Sequence, residues 1–188
     1  MEFDKVVNSR KSVRFFKKTK KVDYRKVIDV LESGLKVPLA GNIYSLRYIL
    51  VSDKNVIKEL ADACQQDFIA DVDYLIVVCS DKKSLEKSYY DRGIIYSRQQ
   101  AGASIENMLL KIADLGLASC WVGAFSDLIV KRILKIPENI DVEAILPIGY
   151  ESGKTKKLMK PELDNVLFFD SWSNKYMRPR NMPESTKV

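Results

Sequence analysis

Residues 10–14 read Arg-Lys-Ser-Val-Arg, three cations and a hydroxyl in five positions of a chain that contains no histidine. Alternate residues of an extended segment point the same way, so Arg10, Ser12 and Arg14 can converge on one anionic, hydrogen-bonding ligand. The missing histidine removes the usual general base, the commonest transition-metal ligand and the Ser-His-Asp and Cys-His triads. No metal site and no catalytic side chain is read here. If the chain is an enzyme, its hard chemistry belongs to a bound organic cofactor.

Two other segments offer backbone rather than side-chain chemistry. Pro38-Leu39-Ala40-Gly41-Asn42 is a turn-forming stretch whose small residues let a flat ligand approach, while Asn42 supplies a donor and an acceptor. Gly116-Leu117-Ala118-Ser119-Cys120-Trp121-Val122-Gly123 reads as a strand ending in glycine, where exposed N–H groups can face a ligand. A third stretch, Gly149-Tyr150-Glu151-Ser152-Gly153-Lys154-Thr155, imitates a nucleotide-binding P-loop and is rejected. It has three residues between its glycines where that loop needs four, and Pro161 leaves little room for the following helix.

These segments need elements to position them. Asp23 can cap a helix with Val27, Ile28 and Leu31 on its apolar face and Gly34 near its end. Leu46 to Ser52 reads as a strand, and Asp53 can open the next helix. Tyr74 to Cys79 is a buried strand by its all-apolar content. A helical pattern runs from Asp91 to Leu115, nearly 40 Å long by its roughly 25 residues. It is the spine of the domain, of a length suited to sharing with a partner subunit. Leu117 to Val122 is a further strand, Ser126 can cap a helix through Leu134, and Val142 to Tyr150 is the last strong strand. Past Pro161 the pattern loosens. The tail from Ser173, with Pro179 and Pro183, has no core of its own and is either frayed or laid across another subunit.

Composition narrows the classes. At 188 residues with 46% hydrophobic content, the chain suits one globular domain. Its first residues lack the order of a signal peptide, and its longest apolar runs are too short for a bilayer, which points to a cytoplasmic protein with no membrane role. Cys64, Cys79 and Cys120 lack metal or redox spacing and read as reduced core thiols. The net charge of +6 favours anionic partners. The run Lys17-Lys18-Thr19-Lys20-Lys21 has no interleaved aromatic residue and reads as a solvated loop, with nucleic-acid binding the alternative from another class.

In order and position, the motifs resemble the FMN-dependent nitroreductase family of flavin oxidoreductases. Arg10-Lys11-Ser12-Val13-Arg14 is similar to that family's Arg-Arg-Ser-x-Arg signature, and Pro38 to Asn42 with Tyr48-Ile49-Leu50-Val51 resembles its Pro-Ser-x-x-Asn-x-Gln-Pro-Trp-x-Phe segment. Gln66 matches a glutamine often found before the buried strand. Asp91 to Gly123 resembles the central helix and the Gly-Leu-Gly-x-x-Trp-x-Gly strand. Ala144 to Tyr150 resembles the late Pro-x-Gly-Tyr strand, and Lys160-Pro161 to Trp172 the closing segment.

The resemblance implies an α+β fold, a mixed central sheet wrapped by helices in a domain-exchanged homodimer, with residues 1–172 as one FMN-binding domain and 173–188 as a tail. It implies FMN at the subunit interface, NADH or NADPH as hydride donor, and a small-molecule acceptor: a nitro compound, a quinone or free flavin, reached by a ping-pong cycle. By match, Arg10, Lys11 and Ser12 belong to the FMN site, with Arg10 and Ser12 at the phosphate end and pyrimidine edge. Arg14 would stand by flavin N1 and Gln66 by the pyrimidine edge, with the backbone of Val122 and Gly123 facing N5. Pro38, Leu39, Ala40 and Asn42 would come from the other subunit. A fixed cation at N1 favours the reduced flavin, which is anionic there.

The chain departs from the pattern twice. Tyr44-Ser45-Leu46 stands where the family has Gln-Pro-Trp. Lys157 aligns with the lysine of a Lys-x-Arg pair that reaches the phosphate, but Met159 falls at the arginine, so Lys160 or Lys156 is the substitute, without the arginine fork. Within the fold, a dehalogenase or a flavin-destroying synthase is the other reading.

Overall fold

The structure, a computed structural model, describes residues 2–176. The chain divides into two compact units, residues 1–155 and 156–188. The first unit holds helices α1 (Phe3–Ser9), α2 (Tyr24–Gly34), α3 (Lys54–Cys64), α4 (Lys83–Tyr89), α5 (Asp91–Asp114) and α6 (Asp127–Leu134), with strands β1 (Leu46–Val51), β2 (Tyr74–Ser80) and β3 (Asp141–Ile148). Among its described residues the second contains one short helix, α7 (Leu163–Val166), and a tilted Phe168–Trp172 ring pair 4.8 Å apart. Residues 177–188, with Pro179 and Pro183, lie outside the described residues. Among the described residues no helix is long and apolar enough to cross a membrane.

The two caps expected to open helices do so. The Asp23 carboxylate accepts from the Arg25 N–H at 2.9 Å, and that of Asp53 accepts from Asn55 and Val56, so each satisfies donors that the first turn leaves unpaired. Ser126 occupies the corresponding position before α6, but its side chain makes no capping bond.

The sheet has the order β1-β2-β3, all antiparallel, with Val51 opposite Leu75 and Val77 opposite Ile145. Both faces of its central strand are covered. Leu75, Val77 and Cys79 join a core with Ile57, Leu60 and Val130 from α3 and α6, while Ile76 and Val78 join another with Val27, Ile105, Met108 and Ile112 from α2 and α5. This two-sided burial explains why Leu75 to Cys79 of β2 are apolar without interruption, a pattern usually associated with parallel sheets.

Leu117–Val122 is not a continuous strand, a correction with a definite cause. Ala118 pairs with Gly149 and Val122 with Ile145 in one antiparallel register, which places Cys120 opposite Pro147. Proline has no N–H, so the ladder breaks at that rung and leaves isolated bridges. On its other side the segment takes Ser12 against Ser119 in a parallel bridge, with the Val13 N–H donating to the Ser119 carbonyl at 2.8 Å. The parallel part of the expected mixed sheet is therefore this edge, and it carries the Arg10–Arg14 cluster.

Candidate functional site

The cluster begins where α1 ends. Arg10 is the residue after Ser9 and is already extended, at φ −60 and ψ 125. Val13 and Phe16 anchor the segment, at 2% and 5% exposure, by entering the core. Alternation about Val13 turns Ser12 and Arg14 outward, and it breaks at Phe15, which is exposed as well. Cys120, on the neighbouring segment, lies beside the Ser12 hydroxyl and the Arg14 guanidinium. Burial pushes its thiol up, while those two groups pull the other way. Cys64 and Cys79 are also free and buried, and burial pushes each to about 11, so neither is a thiolate at neutral pH.

Gln66 and Gly123 arrive at the same edge. Gln66 follows α3, and its side-chain amide donates to the Ala124 carbonyl at 3.5 Å, one residue past Gly123. The backbone of Val122 is spent: its N–H donates to Ile145 at 3.1 Å and its carbonyl accepts in return. Gly123 donates no backbone hydrogen bond among the described residues, so its N–H is the one left to a ligand. Ser12 and Arg14 thus share a face with Cys120, and Gln66 meets the end of the segment that carries Gly123.

Arg10 and Lys11 are placed differently. The Arg10 Nε lies 3.5 Å from the Glu106 carboxylate on α5. Lys11 is committed: its ammonium is 2.9 Å from Glu151 and donates to the Thr155 carbonyl at 3.3 Å. The Thr155 N–H closes this clasp by donating to Glu151 at 2.7 Å. Burial alone would raise the Glu151 carboxyl, but Lys11 and Thr155 outweigh it and hold it below the usual glutamate range. A depressed folded pKa contributes stability that is complete above the unfolded value, about 4.3, and is lost as pH falls through the folded one. Glu151→Gln should therefore cost about 1–2 kcal/mol at pH 7. In denaturant titrations at a series of pH values, the gap to wild type should close in acid.

The turn Pro38–Asn42 contains a short 3-10 segment, Ala40–Asn42, with Gly41 and Asn42 both left-handed at φ 56 and 57. No hydrogen bond or ion pair joins this turn to Arg10–Arg14 among the described residues. The departure Tyr44-Ser45-Leu46 follows it. Leu46 is buried, and the Ser45 N–H and hydroxyl both donate to the Gln100 side-chain carbonyl, at 2.8 and 2.9 Å. The Gln100 amide returns a bond to Ile43 at 3.1 Å. The Tyr44 hydroxyl pairs with that of Tyr48, which also donates to the Gly34 carbonyl at 3.0 Å. Burial, and then the Tyr48 hydroxyl, push the Tyr44 phenol above its usual range. Ser97, whose hydroxyl pairs with that of Ser45 at 3.2 Å, Gln100, and Ser104, whose hydroxyl pairs with that of Tyr48 at 2.6 Å, were not foreseen as partners of this region. Their signal was present in the sequence as polar residues at helical spacing on one buried face. Lys157 and Lys160 belong to the second unit, in the exposed extended stretch ahead of α7.

A family model described as the nitroreductase family matches residues 7–71 and 62–150. An Archaeoglobus fulgidus protein with the provisional name NADH dehydrogenase/NAD(P)H nitroreductase is 29% identical over 151 residues, covering 78% of this chain and 83% of its own. The iodotyrosine deiodinase of Thermotoga neapolitana is 22% identical, over 84% of this chain and 93% of that one. Among solved structures, an FMN-dependent nitroreductase from Clostridium difficile superposes with a TM-score of 0.76 at 23% identity, covering 89% of this chain and 98% of that one.

Proposed function

Because the chain belongs to the nitroreductase family, we propose that it is an FMN-dependent oxidoreductase that takes hydride from NADH or NADPH and reduces a second small molecule in a ping-pong cycle. The acceptor is a nitro compound, a quinone or a flavin, and the enzyme works as a cytoplasmic homodimer with residues 1–172 as its FMN-binding domain. The observation that carries this reading is the outward pair Ser12 and Arg14 at the same edge as Gln66 and the unpaired Gly123 N–H. These groups suit a planar, acceptor-rich ring with a negative end, and none has to act as an acid or base.

When bound, FMN supplies the hydride chemistry. Arg14 would offer a cation to the N1 side, Ser12 and Gln66 would offer hydrogen bonds to the pyrimidine edge, and Gly123 would offer its N–H to N5. Arg10 with Lys157 or Lys160 would hold the phosphate, and Pro38, Leu39, Ala40 and Asn42 of a second copy would cover the ring. Lys11 acts at one remove, holding the chain after β3 against the Arg10–Arg14 segment through Glu151 and Thr155.

Initial rates with NAD(P)H and a quinone or nitroaromatic, varied together, should give parallel double-reciprocal lines. Intersecting lines would refute the ping-pong cycle. A dehalogenase reading has one observation in its favour, the full-length likeness to the Thermotoga deiodinase. Reductive release of iodide from iodotyrosine faster than any quinone or nitro turnover would select it.

A further inference from the structure

The corner between α4 and α5 holds a residue that the fold does not explain. Tyr90 has φ 51 and ψ −132, a conformation open to glycine and costly for a residue with a side chain. The corner is tight because Gly93 brings the start of α5 against the backbone of Leu85 and Glu86. The Tyr90 N–H donates to the Glu86 carbonyl, and its own carbonyl accepts from Gly93, both at 2.8 Å, so the backbone holds the strain in place. The side chain contributes no packing in return, since Tyr90 is 81% exposed. Strain kept at an exposed aromatic residue points to a role outside the core.

The neighbouring Tyr89 ties this corner to the Pro38–Asn42 turn. Its hydroxyl lies so close to Gly41 that a Cβ there would overlap it. Gly41 is left-handed at φ 56, and Gln100 of α5 holds the chain just beyond the turn by donating to the Ile43 carbonyl at 3.1 Å. Corner and turn are therefore fixed to each other. Tyr89 also meets the Tyr96 ring edge-on, 5.2 Å away at 83°. The Arg92 guanidinium, one helical turn before Tyr96, stands 5.7 Å from that ring's centroid. Arg92 is exposed and makes no ion pair among the described residues.

We propose that Tyr90 and Arg92 select the electron acceptor, and that the acceptor is an aromatic compound carrying a negative charge. This rests on the proposed function, in which the Pro38–Asn42 turn covers the flavin ring of a second copy. Tyr89 fastens the corner to that turn, so the corner stands beside whatever the turn covers. Tyr90 offers an aromatic face and Arg92 a cation already placed by Tyr96, a pairing that suits a flat ring bearing a carboxylate or sulfonate. The nearest carboxylates in sequence, Glu86 and Asp91, do not pair with Arg92. Lys83, Lys87 and Arg98 outnumber them along this stretch, so the local field stays positive. Both residues act on which acceptor binds and leave the hydride chemistry to the flavin.

Flavin reoxidation tests this in the protein as purified, reduced anaerobically with dithionite and mixed with 4-nitrobenzoate or with uncharged nitrobenzene. Arg92→Ala should slow reoxidation by 4-nitrobenzoate about threefold to fivefold and change that by nitrobenzene less than about twofold. The difference should shrink in about 0.5 M salt. Tyr90→Gly should slow both acceptors about threefold, while its urea midpoint stays equal or rises, because glycine adopts this conformation without strain. Equal effects of Arg92→Ala on the two acceptors would remove the charge selection and overturn the proposal. A Tyr90→Gly protein that is less stable, or that dissociates, would make Tyr90 a structural contact and overturn it as well. So would a loss confined to reduction by NADH or NADPH, which would assign the corner to the hydride donor. Flavin reoxidised alike in all three proteins defeats the selection and leaves the proposed function standing, whereas a protein with no flavin defeats both.

Discussion

Replacing Arg14 with alanine is expected to lower the potential of the bound flavin by about 20–45 mV and to slow its reduction by NAD(P)H, even where FMN still binds. At an effective dielectric near 20, a unit charge about 4 Å away is worth up to about 4 kcal/mol. Arg14 is exposed and makes no ion pair among the described residues, so solvent screening should leave about 1–2 kcal/mol. For a two-electron couple 1.4 kcal/mol corresponds to about 30 mV, which sets the range. Arg10→Ala should instead weaken FMN binding at unchanged potential, because a phosphate contact is the same in both redox states. Potentiometry with FMN titration separates the two roles. If both variants lose only affinity, Arg14 is a structural contact and the electrostatic account of this edge is wrong.

Gly93→Ala should be the most damaging conservative change in the first unit. Gly93 lies in the first turn of α5, just after Tyr90, which links α4 to α5 at φ 51. A methyl group at Gly93 would run into the backbone of Leu85 and Glu86 in α4, atoms that cannot rotate away as a side chain could. Leu85 is fully buried, so α4 cannot shift outward without opening the core. The expected cost is about 3 kcal/mol or more, read as a fall in the urea midpoint. A loss below about 1 kcal/mol would show that α4 and α5 do not approach so closely.

Local signals carried much of the fold. Asp23 and Asp53 were legible as caps because the capping bond lies within a few residues of the side chain that makes it. The long helix was legible from its period, and it ends at Asp114, one residue short of the expected stop. α1 and α4 were not read, since each buries a single hydrophobic side chain, Val6 and Leu85, and so shows no apolar face. The broken ladder at Cys120 was not legible either. Pro147 was visible, but only the register of Ala118 with Gly149 makes it Cys120's partner.

The cluster divides in the same way. Alternation predicted that Arg10, Ser12 and Arg14 would share one face; Ser12 and Arg14 are exposed, whereas Arg10 is half-buried and reaches Glu106 on α5. It could not show that Lys11 would be captured by Glu151, 140 positions along the chain, since nothing local links them. Nor could it show that Val122 would spend its N–H on Ile145 and leave Gly123 as the available donor.

The central claim is that Arg10, Ser12, Arg14, Gln66 and Gly123 form one half of an FMN site completed by a second copy of the chain. The most direct measurement releases the cofactor from the purified protein by heat, identifies it by chromatography and counts it against the mass in solution from light scattering. The account predicts FMN, one per chain, on a dimer that loses its flavin on dissociation. A monomer with stoichiometric FMN, or a preparation carrying FAD or no flavin at all, would contradict it.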